Sequence, residues 1–257
     1  MTVPNPDRRR LLLGAGGLAA LPLLGSCDSL ARNEQVQCTL ATAEKATKRS
    51  QRALARQALA PEYEEKDISK DFRANGSVDP AAAEYRALRA NNFRDYRLIV
   101  DGLVERPLAL SLTDLRRMPS RTQITKHDCV EGWTSIGKWK GARLSHILRQ
   151  ARLRPDAKYL VFHCFDALSQ TEDGERYYTS IDLVDAFHEQ TILAYEMNDE
   201  ILPIKHGAPI RLRLERQLGY KMAKYVKRIE AVESFAHIGR GKGGYWEDRG
   251  YEWYAGV

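Results

Sequence analysis

Cysteine is scarce in this 257-residue chain: there are four, at positions 27, 38, 129 and 164, with no CxxC pair among them. That excludes a zinc knuckle and a dense disulfide framework, which need paired or closely repeated thiols. CxxCH is also missing, so no c-type haem is attached. Gly239-Arg240-Gly241-Lys242-Gly243-Gly244 is glycine-rich but lacks the spacing and the following apolar helix of a phosphate loop. Charge of one sign never runs long. The 40 Lys and Arg are interleaved with 34 Asp and Glu, so a net charge of +6 describes a mixed solvated surface and not a nucleic-acid-binding face. There is no internal repeat, and no apolar run reaches the ~20 residues that a spanning helix needs.

What is present begins at the N-terminus. Arg8-Arg9-Arg10 precedes Leu11-Leu12-Leu13 and a Gly/Ala/Leu stretch through Leu24, a charged n-region followed by an h-region. Residues 1–26 therefore read as an export signal. The paired arginines resemble a twin-arginine signal, the route for proteins exported folded with cofactors inserted. Leu24-Gly25-Ser26-Cys27 resembles a lipobox, with glycine where alanine or serine is more usual. Two readings stay open: a lipid anchor at Cys27, or cleavage near Ser26 with Cys27 a spectator. With the lipid, Asp28 resembles a retention signal, giving a periplasmic protein anchored to the outer face of the inner membrane.

Length and 43% hydrophobic content suit one main core. Residues 27–90 read as a tether and N-terminal helices: 39–60 favours helix by propensity, and Asp79-Pro80 offers an N-cap and first-turn proline for a helix over 81–90. Residues 91–257 form the main domain. Alternation predicts a strand from Tyr96, and further strands over 121–125, 158–164, 191–196, 209–215 and 224–233. Helices are expected over 111–118, 143–151 and 182–188. Alternation puts Arg213 and Arg216 on the solvent face of their strand. Without a repeated strand–helix crossover the fold class is α+β.

Lys126-His127-Asp128-Cys129-Val130-Glu131-Gly132-Trp133 places a thiol among charged groups on a glycine-containing loop, an arrangement suited to a soft metal. A free cysteine is more often a small buried hydrophobe, so neighbouring segments decide. This run resembles the metal-ligand loop of the sulfite oxidase and periplasmic methionine-sulfoxide reductase family of molybdopterin-dependent oxidoreductases, over residues 90 to 257. The resemblance implies a sulfite-oxidase-type fold of mixed sheets with short helices. It also implies a molybdenum–molybdopterin cofactor with Cys129 as protein ligand, and oxygen-atom transfer or a related two-electron reaction on a small sulfur-type substrate. With no haem in the chain, electrons pass to or from a separate membrane or periplasmic protein. The rival from another class is a binding or assembly protein that keeps the fold without chemistry.

Further segments carry the resemblance. In His206-Gly207-Ala208-Pro209-Ile210-Arg211 it implies that His206 and Arg211 contact the pterin, and in Gly219-Tyr220-Lys221-Met222-Ala223-Lys224 that Met222, Ala223 and Lys224 surround pterin and phosphate. Cys164 in Phe162-His163-Cys164, and Asn91 in Asn91-Asn92-Phe93-Arg94-Asp95, match cofactor positions of the reductase branch. Tyr177 sits where sulfite oxidases place an active-site tyrosine, with Tyr178 as its adjacent competitor. The signatures of the branches are mixed. Thr134 stands where sulfite oxidases carry a substrate arginine, whereas His206 matches them and the reductases use asparagine. Trp246, Tyr251 and Trp253 are expected to pack the tail onto the domain near the pocket mouth.

Overall fold

The computed structural model describes residues 33–55, 57–168 and 175–257. Residues 1–26, read as an export signal, and Cys27 lie outside the described residues. Contacts divide the chain into two units, Met1–Leu54 and Ala55–Val257. Helix α1 (Glu34–Ala55) accounts for the described part of the first. It starts earlier than propensity suggests because the Asn33 side chain accepts from the amides of Gln35 and Val36, an N-cap arrangement. No described helix is long and apolar enough to cross a membrane.

The second unit holds two sheets of five strands each. One contains β1 (Leu98–Gly102), β2 (Leu108–Leu110), β5 (Tyr159–Ala167), β6 (Arg176–Asp182) and β10 (Val226–Val232), in the order β2-β1-β10-β5-β6. Only its β1–β10 pair is parallel. The other is antiparallel: β3 (Ser120–Asp128), β4 (Thr134–Arg143), β7 (Ile192–Met197) and β8 (Glu200–Ile201) run in that order, and β9 (Arg211–Arg213) also pairs with β7. Short helices α2 (Ala83–Ala90), α3 (Leu112–Arg117), α4 (Leu144–Ala151) and α5 (Leu183–Ala186) complete the unit. Mixed sheets with separate short helices make this the expected α+β fold. Its main core joins Leu98, Leu148, Phe162, Ile210 and Ile229, and a smaller cluster surrounds Trp139 and Phe72.

Several expectations change. The Asp79 carboxylate takes no cap: it binds Arg89 at 2.6 Å, and α2 begins only at Ala83, with Ala82 preceding it and no side-chain cap. Four strands were not foreseen, β2, β4, β6 and β8. In β4, glycines and lysines depress β-propensity, yet pairing with both β3 and β7 imposes the strand. Gly141 permits that approach, since a Cβ there would collide with the Leu193 carbonyl. Arg213 is fully buried and not on a solvent face, because Glu215 neutralises it at 2.6 Å and Trp139 covers it at 4.4 Å. The segment from residue 57 to 90, read as tether and helices, packs within the larger unit. Tyr63 donates its amide to the Ile124 carbonyl, and Phe72 is buried against Trp139.

Candidate functional site

Cys129 opens the five-residue loop between β3 and β4. Its amide donates to the Trp133 carbonyl at 2.9 Å and its carbonyl accepts from Gly132 at 3.0 Å, which closes a tight turn. Gly132 has φ of 85°, a left-handed conformation that favours glycine. Thr134 Oγ1 donates to Asp128 Oδ1 at 2.6 Å and brackets the loop from outside. Partial burial pushes the Cys129 thiol up, against a weaker downward pull from the Glu131 amide. Left alone it is a neutral thiol; a soft cation would hold it as thiolate.

The thiol borders a cavity also lined by Asp166, Tyr177, Tyr220, Met222, Lys224 and the tail residues Trp246 and Tyr251. Tyr177 and Tyr178 are separated by strand alternation. Tyr177 faces the cavity and donates to the Tyr220 carbonyl, and burial raises its phenol well above the usual range. Tyr178 packs with Val161 and Val232 and donates to the Asp248 carboxylate. Trp253 lies off the cavity, stacked on Phe235 and donating to Ser180 Oγ.

Several buried polar atoms here lack partners: the acceptors Asp166 Oδ1 and Asn75 Oδ1 on the lining, and Arg211 Nε and Nη2, His206 Nδ1 and His127 Nε2 behind it. A buried group left unpaired costs about 1–3 kcal/mol, so this set demands a polar occupant. Phe72 ties part of it together, with its ring 5.7 Å from His127 and 5.5 Å from His206. Arg211 spends one N–H on the His206 carbonyl at 3.0 Å, and burial and Arg213 push its guanidinium down to about 9. Burial, followed by Arg211, Lys205 and Lys224, pushes His206 down to about 4. Gly207 lets Arg211 and Lys224 close around it; a Cβ there would fall 3.0 Å from Arg211 Cβ.

Lys224 departs from expectation. Its ammonium donates to the carbonyls of Asn75 and Ser77 at 2.5 Å each and of Lys205 at 3.1 Å, which uses all three protons. It therefore clamps the 75–77 segment over the cavity, leaving Arg211 as the cation with donors to spare. Burial pushes Lys224 down and Asp166 up. Met222 lines the cavity and touches His127 Nδ1 with its sulfur at 3.2 Å, and Ala223 is fully buried in the core. Asn91 does not reach this cavity: its amide binds Asp95 at 2.5 Å in the loop after α2. Cys164 is buried on β5 and lines a different cleft, beside His163 and Arg228.

Sequence reasoning missed Asp166, His127, Asn75 and Phe72. Only His127 lies in a segment singled out beforehand; the others reach the site through chain crossings that no local pattern records. An anionic phosphate asks for donors, and a pterin ring also asks for acceptors for its N–H groups. Arg211 and His206 supply the first, Asp166 and Asn75 the second, and Cys129 the thiolate. The residues present thus fit a phosphorylated pterin bearing a metal. Among the described residues, no three His, Cys, Asp or Glu side chains converge on a metal site of another kind.

Comparison with known proteins agrees. Residues 86–237 match the oxidoreductase molybdopterin binding domain. The chain is 36% identical over 252 residues to the putative protein-methionine-sulfoxide reductase subunit YedZ1 of Azospira oryzae, covering 98% of this chain and 88% of that one. It is 30% identical over 147 residues to the protein-methionine-sulfoxide reductase catalytic subunit MsrP of Campylobacter jejuni, covering 54% of this chain and 50% of that one. With the mitochondrial sulfite oxidase of Rattus norvegicus it shares 33% identity over 186 residues, 62% of this chain and 32% of the rat protein. The chain belongs to the family of molybdenum–molybdopterin-dependent oxidoreductases that includes sulfite oxidase and methionine-sulfoxide reductase.

Proposed function

We propose that this oxidoreductase reduces a small neutral sulfoxide-type compound in the Cys129 cavity, with Cys129 the only protein ligand to molybdenum. The observation that carries the reading is the single thiol at one end of a cavity next to the unpartnered Arg211, His206 and Asp166 atoms. Arg211 and His206 hold the phosphate, Asp166 and Asn75 accept from the pterin, and Met222 and Ala223 supply its surroundings. The cofactor supplies two-electron oxygen-atom transfer when bound. The protein binds, orients and excludes water. Tyr177 keeps its phenolic proton, which it donates to the Tyr220 carbonyl, and so presents a neutral phenol in the cavity wall beside the substrate.

The neutral substrate is favoured over sulfite by the mouth, where Val130, Leu168, Trp246 and Tyr251 present mostly apolar surface. Thr134, in place of the expected substrate arginine, is committed to Asp128. Reducing a sulfoxide to thioether and water takes up two electrons and two protons. A separate redox protein supplies the electrons, in keeping with the name of the Azospira relative, a subunit. Export through the twin-arginine route, a periplasmic site of action and a lipid on Cys27 belong to the same reading, on the strength of residues 8–28.

Molybdenum and pterin analysis tests it, together with reduction of a methyl aryl sulfoxide by an artificial electron donor. Stoichiometric cofactor and turnover are expected, both insensitive to added sulfite. A loaded protein that oxidises sulfite and ignores sulfoxides would overturn the substrate reading.

A further inference from the structure

Arg213 and Glu215 form an ion pair in which neither side chain has any solvent exposure. Desolvating two such ions costs several kcal/mol each, and the pair stands directly behind the Cys129 loop. Its geometry has a specific product. Glu215 takes Arg213 Nε at 2.9 Å and Nη2 at 2.6 Å, and is itself fixed by Gln123 Nε2 at 2.7 Å. The remaining Nη1 meets His127 Nδ1 at 3.2 Å. The Met222 sulfur lies at the same distance from Nδ1 and only accepts, but a charged guanidinium only donates, and its contact favours the tautomer with the lone pair on Nδ1 and the proton on Nε2.

That Nε2 is buried and has no partner. Phe72 and Trp133 hold the ring, with centroids at 5.7 and 5.5 Å. The edge carrying Nε2 lies against Gly219, where any Cβ would collide with it, and Gly219 lines the cavity. His127 is two residues from Cys129 at the end of β3.

We propose that His127 is a positioning residue, its tautomer locked by Arg213, whose Nε2–H donates to the cofactor at its Cys129 end. This rests on the reading that the cofactor occupies this cavity. A hydrogen bond to the ligands of a metal centre stabilises its more negative, reduced form, so losing the donor lowers the potential. Arg213, Glu215 and Gln123 serve the same end by preventing the ring from turning.

The test uses the loaded full-length protein. His127→Phe keeps the ring and removes both nitrogens, whereas His127→Gln restores an N–H donor and a carbonyl for Arg213. Potentiometric titration followed by the Mo(V) electron paramagnetic resonance signal is expected to show a lowered midpoint and altered spectrum for Phe, largely restored by Gln. A folded, loaded His127→Phe protein with wild-type spectrum and midpoint overturns the proposal, as does a Gln variant no nearer wild type than Phe. Should His127→Phe not fold, nitrogen resonances of labelled histidine in the wild type decide: Nε2–H in both forms, with Nε2 moving on cofactor loading, supports the donor. An Nδ1–H tautomer or an unmoved Nε2 refutes it. Cys129→Ser separates the levels, since an unchanged sulfur count at molybdenum there refutes the cavity reading itself. One sulfur fewer there with His127→Phe silent removes only the role of His127.

Discussion

The Cys129 side of the site and the Arg211 side behind the cavity lining are built differently. At the Cys129 end a short hairpin loop is fixed by backbone hydrogen bonds, partly exposed, with its side-chain charges paired at the surface. At the Arg211 end, cations and neutral imidazoles are buried with donors unspent. The first suits a reacting centre that must meet substrate and change charge. The second suits a permanent anchor, because unpaired buried donors are tolerable only when a bound group satisfies them. Chemistry and retention are thus assigned to separate parts, and substitutions should separate them too.

Cys129→Ser should abolish turnover while circular dichroism and thermal unfolding stay near wild type, since the loop is held by main-chain bonds; a large fall in unfolding temperature would break the distinction. Phe72→Ala attacks the other end through its packing, removing the ring between His127, Trp139 and His206. A loss of about 3–5 kcal/mol is expected for such a core aromatic, read by denaturant unfolding. Arg211→Ala should leave the fold in place and lower pterin occupancy by about 10- to 100-fold, as charge-assisted contacts worth ~1.5–3 kcal/mol disappear. Lys224→Ala should cost less occupancy than Arg211→Ala and instead make the 75–77 segment more susceptible to proteolysis, because its protons are committed there.

The smallest effect concerns pH. His206 is held at about 4 in the folded protein, below the usual imidazole value. Between pH 4 and ~6.5 the unfolded chain binds more protons at this position, so its contribution to stability falls as pH falls through that window. Asp166, pushed up by burial, works in the opposite direction in the acid range. His206→Asn, the residue of the reductase branch, should therefore flatten the acid limb of a plot of unfolding temperature against pH. An unchanged limb would show that His206 is not buried neutral.

How far the site was legible depended on whether its parts are contiguous. The Cys129 loop, the His206–Arg211 run and Met222–Lys224 could be read because each is one short segment whose residue types announce a chemistry. Asp166, Asn75 and Phe72 could not, since they reach the cavity only through tertiary folding. Arg213 was misplaced because alternation tells which residues share a strand face, not what covers that face. The strand β4 went unseen because propensity weighs its glycines as breakers, whereas Gly141 is the residue that lets β7 approach. Asn91 and Cys164 matched family positions in sequence, yet Asn91 is engaged by Asp95 and Cys164 borders a different cleft. The α+β class was legible because it needs only the order of elements.

The central claim is that one protein sulfur, from Cys129, completes the coordination of molybdenum in this cavity. X-ray absorption at the molybdenum edge, on loaded wild type and on a Cys129→Ser protein that retains metal or is reconstituted with it, measures that directly. The account predicts one sulfur neighbour fewer in the variant and no change in the pterin sulfurs. An identical sulfur count in the two proteins would contradict it.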